Sequence, residues 1–318
     1  MDGTPQANPS APVTRVPATW TSAVWQRTLK APIGCVGVGL HTGKRVSLNL
    51  RPADPGHGVV FRRTDLGRDI QARYDCVVDT RFATVLADQR WASARVGTVE
   101  HLMAALSALG IDNVLVELDG PEVPVLDGSA APFVFLLDCA GVAEQSAPRT
   151  HIEIRRPVRV SEGDAFAELR PFARGKSGIE MALSIDFAAA AIGRQAMSLC
   201  LTPESFRSEL ARARTFTLAE QVPQLRAAGL AQGGSLDNAV VVDQACILNP
   251  GGLRMRDEFA RHKLLDAVGD LALAGAPLSG RFTAHCSGHG LNNRLLRALF
   301  ADASAWREVE TAPVSVAA

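Results

Sequence analysis

Apolar residues recur at every second position through the first part of the chain, as in the run 45–51. This period of two predicts half-buried strands. After Gly97 the period becomes that of a helix, and Gly110 marks its end. The apolar face of this helix consists of Leu102, Ala105, Leu106 and Leu109. We therefore expect several strands, then a helix, then a further strand over 113–118.

The first half of the chain ends in a second apolar helix, which follows residues 127–129 and reaches Leu137. The polar, proline-containing segment 143–150 is predicted to be a linker to the second half, where the same order returns. The elements predicted beyond it are strands near 151–170 and 178–187, a helix after Pro203, and a helix with an apolar stripe at Leu264, Leu265, Val268 and Leu271.

This layout indicates an α+β fold with two similar layered domains, each a sheet packed on helices, facing each other. Most connections are too short for the crossover helices of a wholly parallel sheet, so antiparallel or mixed sheets are expected. The predicted parts are a disordered tail over 1–22, an N-terminal α+β domain over 23–145 and a C-terminal α+β domain over 150–308. The tail is rich in Pro, Ala, Ser and Thr and offers little apolar surface to bury.

Composition narrows the class of protein. Of 318 residues, 47% are hydrophobic and 21% charged, which is typical of a globular protein. Lys+Arg and Asp+Glu are both 33, so no nucleic-acid partner or anionic membrane surface is expected. Six cysteines without a Cys-x-x-Cys pair favour a reduced cytosol. With no apolar run of about 20 residues and no signal peptide, we expect a soluble, cytoplasmic monomer without a transmembrane segment.

Three polar side chains share one face of the helix that carries the leucine stripe. His262, Asp266 and Asp270 stand four residues apart. His262 and Asp266 lie one turn apart and can reach a common ion, whose bonds to N and O are about 2.0–2.2 Å long. Asp270 lies about 12 Å along the axis from His262, so it is predicted to orient another group.

A catalytic zinc usually takes three protein ligands and leaves a fourth position for water. Among seven histidines, His101 is the best third candidate, because it begins a helix beside Glu100. Adjacent helix positions are turned about 100° apart, so one residue can bind metal while the other addresses its water. Taken alone, these pairs are also typical of a solvated helix face or of a carboxylate that favours a helix start. No role is assigned to His57, His151 or His285.

Seven segments follow one another in an order that is characteristic of one family. They are Gly37–Gly43, Thr98–Leu102, Asp127–Phe133, Ala213–Phe216, Gly233–Ser235, His262–Asp270 and Ser287–Asn293. Through them the chain resembles the LpxC family, the UDP-3-O-acyl-N-acetylglucosamine deacetylases of lipid A biosynthesis in Gram-negative bacteria. The resemblance runs from about Gln26 to Phe300.

The resemblance implies one catalytic Zn²⁺ ion held by His101, His262 and Asp266. The catalytic groups that it implies are Glu100 as general base, His289 as an electrostatic group or general acid, Asp270 as the carboxylate that orients His289, and Thr215 as the contact of the oxyanion. It also implies a nucleotide-sugar substrate that carries an acyl chain. Lys263 is implied to bind this substrate, with Leu40 and Phe216 of the matched segments beside it.

In that family a βαβ insertion of the second half forms a hydrophobic passage for the acyl chain, here about residues 215–241. Helical spacing over Thr217–Ala228 predicts its helix. The expected lining includes Leu218, Val222 and Leu236. Core packing is the alternative for each of these apolar side chains, and the preferred acyl length stays open.

Together these expectations describe zinc-dependent hydrolysis of the N-acetyl group of UDP-3-O-acyl-N-acetylglucosamine, giving UDP-3-O-acyl-glucosamine and acetate. Two alternatives stay open: an amidohydrolase for another acylated amino sugar, and a binding protein with a structural metal. A structural zinc has four protein ligands as a rule, whereas only three are visible here. Iron would suit the same histidine and carboxylate ligands.

Overall fold

A computed structural model describes residues 25–88, 90–172 and 178–311. The tail predicted over 1–22 lies outside the described residues. Within them helices and strands are interspersed, and the predicted α+β class is confirmed. None of the helices in these three ranges is long and apolar enough to cross a membrane.

Where the structure describes the first half of the chain, two α-helices lie among short strands. Its elements are β1 (Trp25–Leu29), β2 (Ile33–Val38), β3 (Arg45–Pro52), β4 (Val59–Arg63), β5 (Arg68–Gln71), β6 (Val77–Asp79), β7 (Val85–Asp88), β8 (Trp91–Val96), α1 (Glu100–Ala108), β9 (Val114–Leu118), α2 (Ala131–Ala140) and β10 (Val142–Pro148). A mixed sheet has the order β2-β3-β9-β4-β5, in which only β4 and β9 are parallel. Strands β6, β7 and β8 form a smaller antiparallel sheet.

The second half is arranged around one central strand. Its elements are β11 (Thr150–Ile154), β12 (Val158–Glu162), β13 (Ala165–Arg170), β14 (Ile179–Asp186), β15 (Arg194–Cys200), α3 (Pro203–Ser205), β16 (Phe216–Leu218), α4 (Val222–Ala227), β17 (Val240–Asp243), β18 (Cys246–Ile247), α5 (Glu258–Ala272), β19 (Leu278–His285), α6 (His289–Ala301) and β20 (Trp306–Glu310). Strand β19 pairs antiparallel with β13 and parallel with β14 and β11. Mixed sheets are therefore present in both halves, as expected, whereas the two-domain boundaries stay a prediction.

The segment 143–150, predicted to be a linker, is instead strand β10 and the start of β11, so that prediction is wrong. Strand β10 pairs antiparallel with β1. The segment is polar because one side of this two-stranded ribbon is exposed. Gln145 also has specific partners, since its Nε2 donates to the carbonyl of Ala53 and its Oε1 accepts from Asn113.

The insertion has the predicted βαβ order. Strands β16 and β17 are parallel neighbours, and α4 lies between them in the chain. The helix predicted over Thr217–Ala228 starts later than expected, at Val222, because Phe216–Leu218 pair as a strand and Ala219–Gln221 form a single tight turn. Pro223 in the first turn of α4 favours this start, since proline needs no hydrogen bond there.

Helices α1 and α5 pack together and are buried along most of their length. The contact is closest at Gly269, where an added Cβ would lie 2.0 Å from the carbonyl oxygen of Glu100. No other residue type fits against the backbone of α1 at this point. The first turn of α1 is thereby held against the part of α5 that follows Asp266.

Replacing Gly269 with alanine tests this contact. Helix propensity alone predicts that Gly269→Ala stabilises the protein by about 1 kcal/mol. Because the added methyl group meets backbone rather than a flexible side chain, we expect the opposite sign, a loss of about 2 kcal/mol in the free energy of unfolding. Urea unfolding measures the difference. The control is Gly251→Ala, whose Cβ would meet no described residue within 4 Å. Equal stability of both variants would contradict the close packing.

Candidate metal centre and catalytic site

A cavity of about 540 Å³ lies at the first turn of α1, beside α5, α6 and the insertion. Ten of the site residues predicted from the sequence are on its wall: Leu40, Glu100, His101, Thr215, Phe216, Leu218, His262, Lys263, Asp266 and His289. Asp270 lies behind His289, in contact with its ring. Val222 and Leu236 are not on this wall, and Leu236 is 41% exposed.

His101, His262 and Asp266 converge at the bottom of the cavity. Asp266 Oδ1 lies 3.6 Å from His101 Nε2 and 3.4 Å from His262 Nε2. Ligands on a tetrahedral ion with bonds of about 2.0–2.1 Å are about 3.3 Å apart. Both imidazole nitrogens therefore lie at distances from Asp266 Oδ1 that suit a common small cation, the three donor atoms lie within 4.8 Å of one another, and all three side chains are buried.

Asp266 supplies a further test of fit for a cation. Its Oδ2 accepts a hydrogen bond from Lys263 Nζ at 3.0 Å, whereas Oδ1 is buried without a hydrogen-bond partner among the described residues. A buried carboxylate oxygen without a donor is costly. Burial raises the pKa of Asp266, but His262 and Lys263 outweigh it and hold the pKa well below its usual value. An ionised oxygen thus points at the two imidazoles.

His262 is held in the orientation that a ligand needs. Its Nδ1 lies 3.0 Å from the carbonyl oxygen of Ala213, so that nitrogen donates and Nε2 carries the free lone pair. Burial lowers the pKa of His262 to about 4. The ring is therefore neutral at pH 7, which is the form that binds metals.

Glu100 lies beside this trio, in the first turn of α1. Its Oε2 accepts the backbone N–H of Thr84 at 3.0 Å, and its Oε1 is 3.9 Å from His289 Nε2. Burial raises the pKa of Glu100, against the opposing charges of His289 and His101. A carboxylate with a raised pKa is a better proton acceptor than one in water.

His289 begins helix α6, and its Nδ1 lies 2.9 Å from Asp270 Oδ2. Burial disfavours its charged form, but Asp270 and Glu100 outweigh burial and raise the pKa of His289 to about 9. The ring is thus a cation at pH 7, with Nε2–H directed toward the side of Glu100. Because the folded-state pKa is the higher one, this charge stabilises the fold fully below about pH 6.5, and the contribution is lost as the pH rises through about 9.

Sequence reasoning did not find the two residues that hold Asp270. Thr84 Oγ1 donates to Asp270 Oδ1 at 2.6 Å, and Asn292 Nδ2 donates to Oδ2 at 2.8 Å. The contact of Asn292 could have been predicted, because Asn292 stands one helical turn after His289 and so lies on the same helix face. Thr84 carried none, since it lies 186 residues away from Asp270 in the chain.

The insertion supplies part of the apolar wall, through Phe216 and Leu218. Phe216 packs edge-to-face against Phe187 and Phe259, with ring centres 5.6 and 4.9 Å apart. The backbone of Thr215 is fixed on both sides, since its N–H donates to Gly128 and its carbonyl accepts from Val240. The Thr215 hydroxyl therefore sits on a rigid segment at the cavity wall.

Comparison with known proteins identifies the family of this chain. Residues 26–301 match the family described as LpxC, UDP-3-O-acyl N-acetylglycosamine deacetylase. The chain belongs to the LpxC family. All metal-centre and cavity residues named above lie within the matched range.

Curated relatives of the LpxC family align over almost the whole chain. A UDP-3-O-acyl-N-acetylglucosamine deacetylase of Acidithiobacillus ferrooxidans is 50% identical over 90% of this chain and 93% of its own length. The proteins of the same name from Myxococcus xanthus and Phenylobacterium zucineum are 51% and 52% identical, each over 89% of this chain, and over 89% and 96% of their own lengths.

The charge on His289 can be tested by titration. Asp270→Asn removes the carboxylate charge but keeps an acceptor for Nδ1, so the first of the charges that oppose burial is lost and the pKa of His289 should fall from about 9. Histidine NMR resonances of the metal-free protein measure this pKa, because a bound cation would add its own charge. Asp186→Asn, an exposed carboxylate paired with Arg194, is the control. An unchanged His289 pKa in Asp270→Asn would show that another group keeps the ring charged.

Proposed function

We propose that this chain is a zinc-dependent deacetylase that hydrolyses the N-acetyl group of UDP-3-O-acyl-N-acetylglucosamine, in lipid A biosynthesis. The observation that carries the proposal is the convergence of two imidazole nitrogens with one buried carboxylate oxygen, which has no hydrogen-bond partner among the described residues, beside the carboxylate of Glu100. The names of relatives about 50% identical supply the substrate. The products are UDP-3-O-acyl-glucosamine and acetate.

Zinc would be held by His101, His262 and Asp266. When bound, it supplies a Lewis acid that polarises the amide carbonyl and makes a coordinated water more acidic. The separations of the donor atoms and the neutral ring of His262 support this ligand set. Lys263 keeps Asp266 ionised and in place from the opposite side.

Glu100 acts as the general base. Its carboxylate accepts the proton of the attacking water, and the pKa raised by burial makes this transfer more favourable. The N–H of Thr84 occupies Oε2, so Oε1 is the oxygen that faces the cavity and takes the proton. The same oxygen lies 3.9 Å from His289 Nε2.

His289 and Thr215 face the charge that develops on the substrate. The cationic ring of His289 stabilises the negative oxygen of the tetrahedral intermediate, and its Nε2–H is placed to protonate the leaving amine. Asp270 fixes the ring through Nδ1, helped by Thr84 and Asn292. The Thr215 hydroxyl provides a further donor to the same oxygen.

Substrate binding is assigned to the rest of the wall. The ammonium group of Lys263 would contact the nucleotide-sugar part, while Leu40, Phe216 and Leu218 offer apolar surface to the acyl chain. Val222 and Leu236 would contact only the part of the acyl chain that extends beyond this cavity. A cytoplasmic location and a monomeric state remain predictions.

Two substitutions in the first turn of α1 separate metal binding from proton transfer. Glu100→Gln should retain one zinc per chain and lower kcat by about 100-fold or more, because the base is lost and the ligands are not. His101→Ala should lose zinc, because two ligands remain. Acetate release and metal content per chain are measured on the same preparations. A Glu100→Gln variant with normal turnover, or a zinc-replete and active His101→Ala variant, would refute these roles.

The acyl chain distinguishes the proposed substrate from other acetylated sugars. With the wild-type protein, kcat/KM should be at least about 100-fold higher for UDP-3-O-acyl-N-acetylglucosamine than for UDP-N-acetylglucosamine, since binding energy from remote groups is used at the reacting centre. Chelation should abolish activity with both substrates, and added zinc should restore it. Equal kcat/KM values would favour an amidohydrolase for another amino sugar.

A further inference from the structure

Glu122 is a buried carboxylate that no catalytic step uses. It is 3% exposed and lies between the turn 39–42 and the residues that precede α1. Its Oε1 accepts from the His41 N–H at 2.8 Å and from Thr98 Oγ1 at 2.9 Å. Its Oε2 accepts from the N–H and the hydroxyl of Thr42, at 2.9 and 2.8 Å. All four donors are neutral, so this carboxylate serves as a junction between two segments.

One of these segments leads directly into the catalytic helix. Thr98 has φ of 55°, a left-handed conformation that is sterically unfavourable for a β-branched residue. It stands two residues before Glu100 and also lines the cavity. Its hydroxyl bond to Glu122 therefore holds a strained turn in the conformation from which Glu100 and His101 start.

The other segment contributes Leu40 to the apolar wall. Leu40 lines the cavity, and its carbonyl accepts the N–H of Gly233 in the insertion at 3.0 Å. Two glycines permit this approach: a Cβ on Gly39 would lie 2.3 Å from Glu122 Oε2, and one on Gly233 would lie 2.2 Å from the carbonyl oxygen of Gly39. The turn 39–42 is thus packed between Glu122 and the insertion.

We propose that Glu122 is a positioning residue that couples the wall contacted by the acyl chain to the first turn of α1. The inference rests on the proposed function for its substrate. An acyl chain seated against Leu40 steadies the turn 39–42, and Glu122 transmits this order to Thr98 and so to Glu100 and His101. Part of the advantage of an acylated substrate then appears in kcat rather than in KM alone.

The test is Glu122→Gln, which keeps size but replaces one oxygen with an NH₂ group. Each oxygen accepts one backbone N–H, so either amide orientation places donor against donor. The backbone of residues 121–123 stays paired with Gly97 and keeps the segment in place. We expect kcat to fall about 10- to 100-fold with zinc content unchanged. The ratio of kcat/KM for acylated over unacylated substrate should fall about 5-fold or more.

Thr98 provides the rescue experiment. Glycine adopts φ of 55° without strain, so Glu122→Gln should cost less kcat in a Thr98→Gly background than in the wild type. If Glu122→Gln does not fold, Thr98→Val provides the test, because it replaces the hydroxyl group that donates to Glu122 with a methyl group. The matched control is Asp119→Asn, an exposed carboxylate that accepts the Ser47 N–H, and it should behave as wild type.

Hydrogen–deuterium exchange measures, without substrate, whether Glu122 couples the turn 39–42 to the residues that precede α1. Glu122→Gln should speed exchange in both segments, 39–43 and 97–103, while Asp119→Asn should not. A lower Tm with unchanged exchange and an unchanged acyl ratio would overturn the proposal, as would equal kcat losses in the two Thr98 backgrounds. A wild-type protein that releases no acetate overturns the proposed function instead, and the exchange result then still decides whether Glu122 joins the two segments.

Discussion

Helix α1 meets helix α5 where Gly269 has no side chain, and the carbonyl group of Glu100 fills the space that a Cβ would need. This contact decides where the functional groups are. His101 and Glu100 come from one helix and His262 and Asp266 from the other, so the distances among them follow from how closely the two helices approach. A separation greater by the width of a methyl group would move His101 Nε2 away from Asp266 and leave the carboxylate oxygen Oδ1 further from any partner.

Electrostatics then complements geometry. Around the ligand trio the carboxylates are Glu100, Asp266 and Asp270, and the cations that face them are the partly buried Lys263 and the buried His289. With all five ionised, three negative and two positive charges leave an excess of one negative charge. A negative excess is costly in a low dielectric, and it favours a cation rather than an anion at the ligand trio. Burial also explains why Glu100 and His262 depart from their usual pKa values in the directions that suit a base and a neutral ligand.

Local pattern carried much of the prediction. The strand at 45–51, the helix before Gly110 and the βαβ order of the insertion were read from spacing alone or from matched motifs, and each is present. The pattern gave the wrong result at the segment 143–150, where a polar composition suits both a loop and a half-exposed strand, and at the start of helix α4. Strand β10 is polar because it is half exposed, and α4 begins late because β16 pairs with β17 before the helix can start.

By itself the sequence determined that His262 and Asp266 share a helix face and that Asp270 stands too far along it to bind the same ion, because helix geometry depends only on spacing. Motif order placed His101, Glu100 and His289 in the same family site. Only the tertiary structure decided that Thr84 hydrogen-bonds to both Glu100 and Asp270. The same holds for the hydrogen bond from Lys263 to Asp266 and for Glu122, which joins Thr98 to the turn 39–42. Such contacts join residues far apart in the chain, so they depend on packing between elements and leave no periodic trace in the sequence.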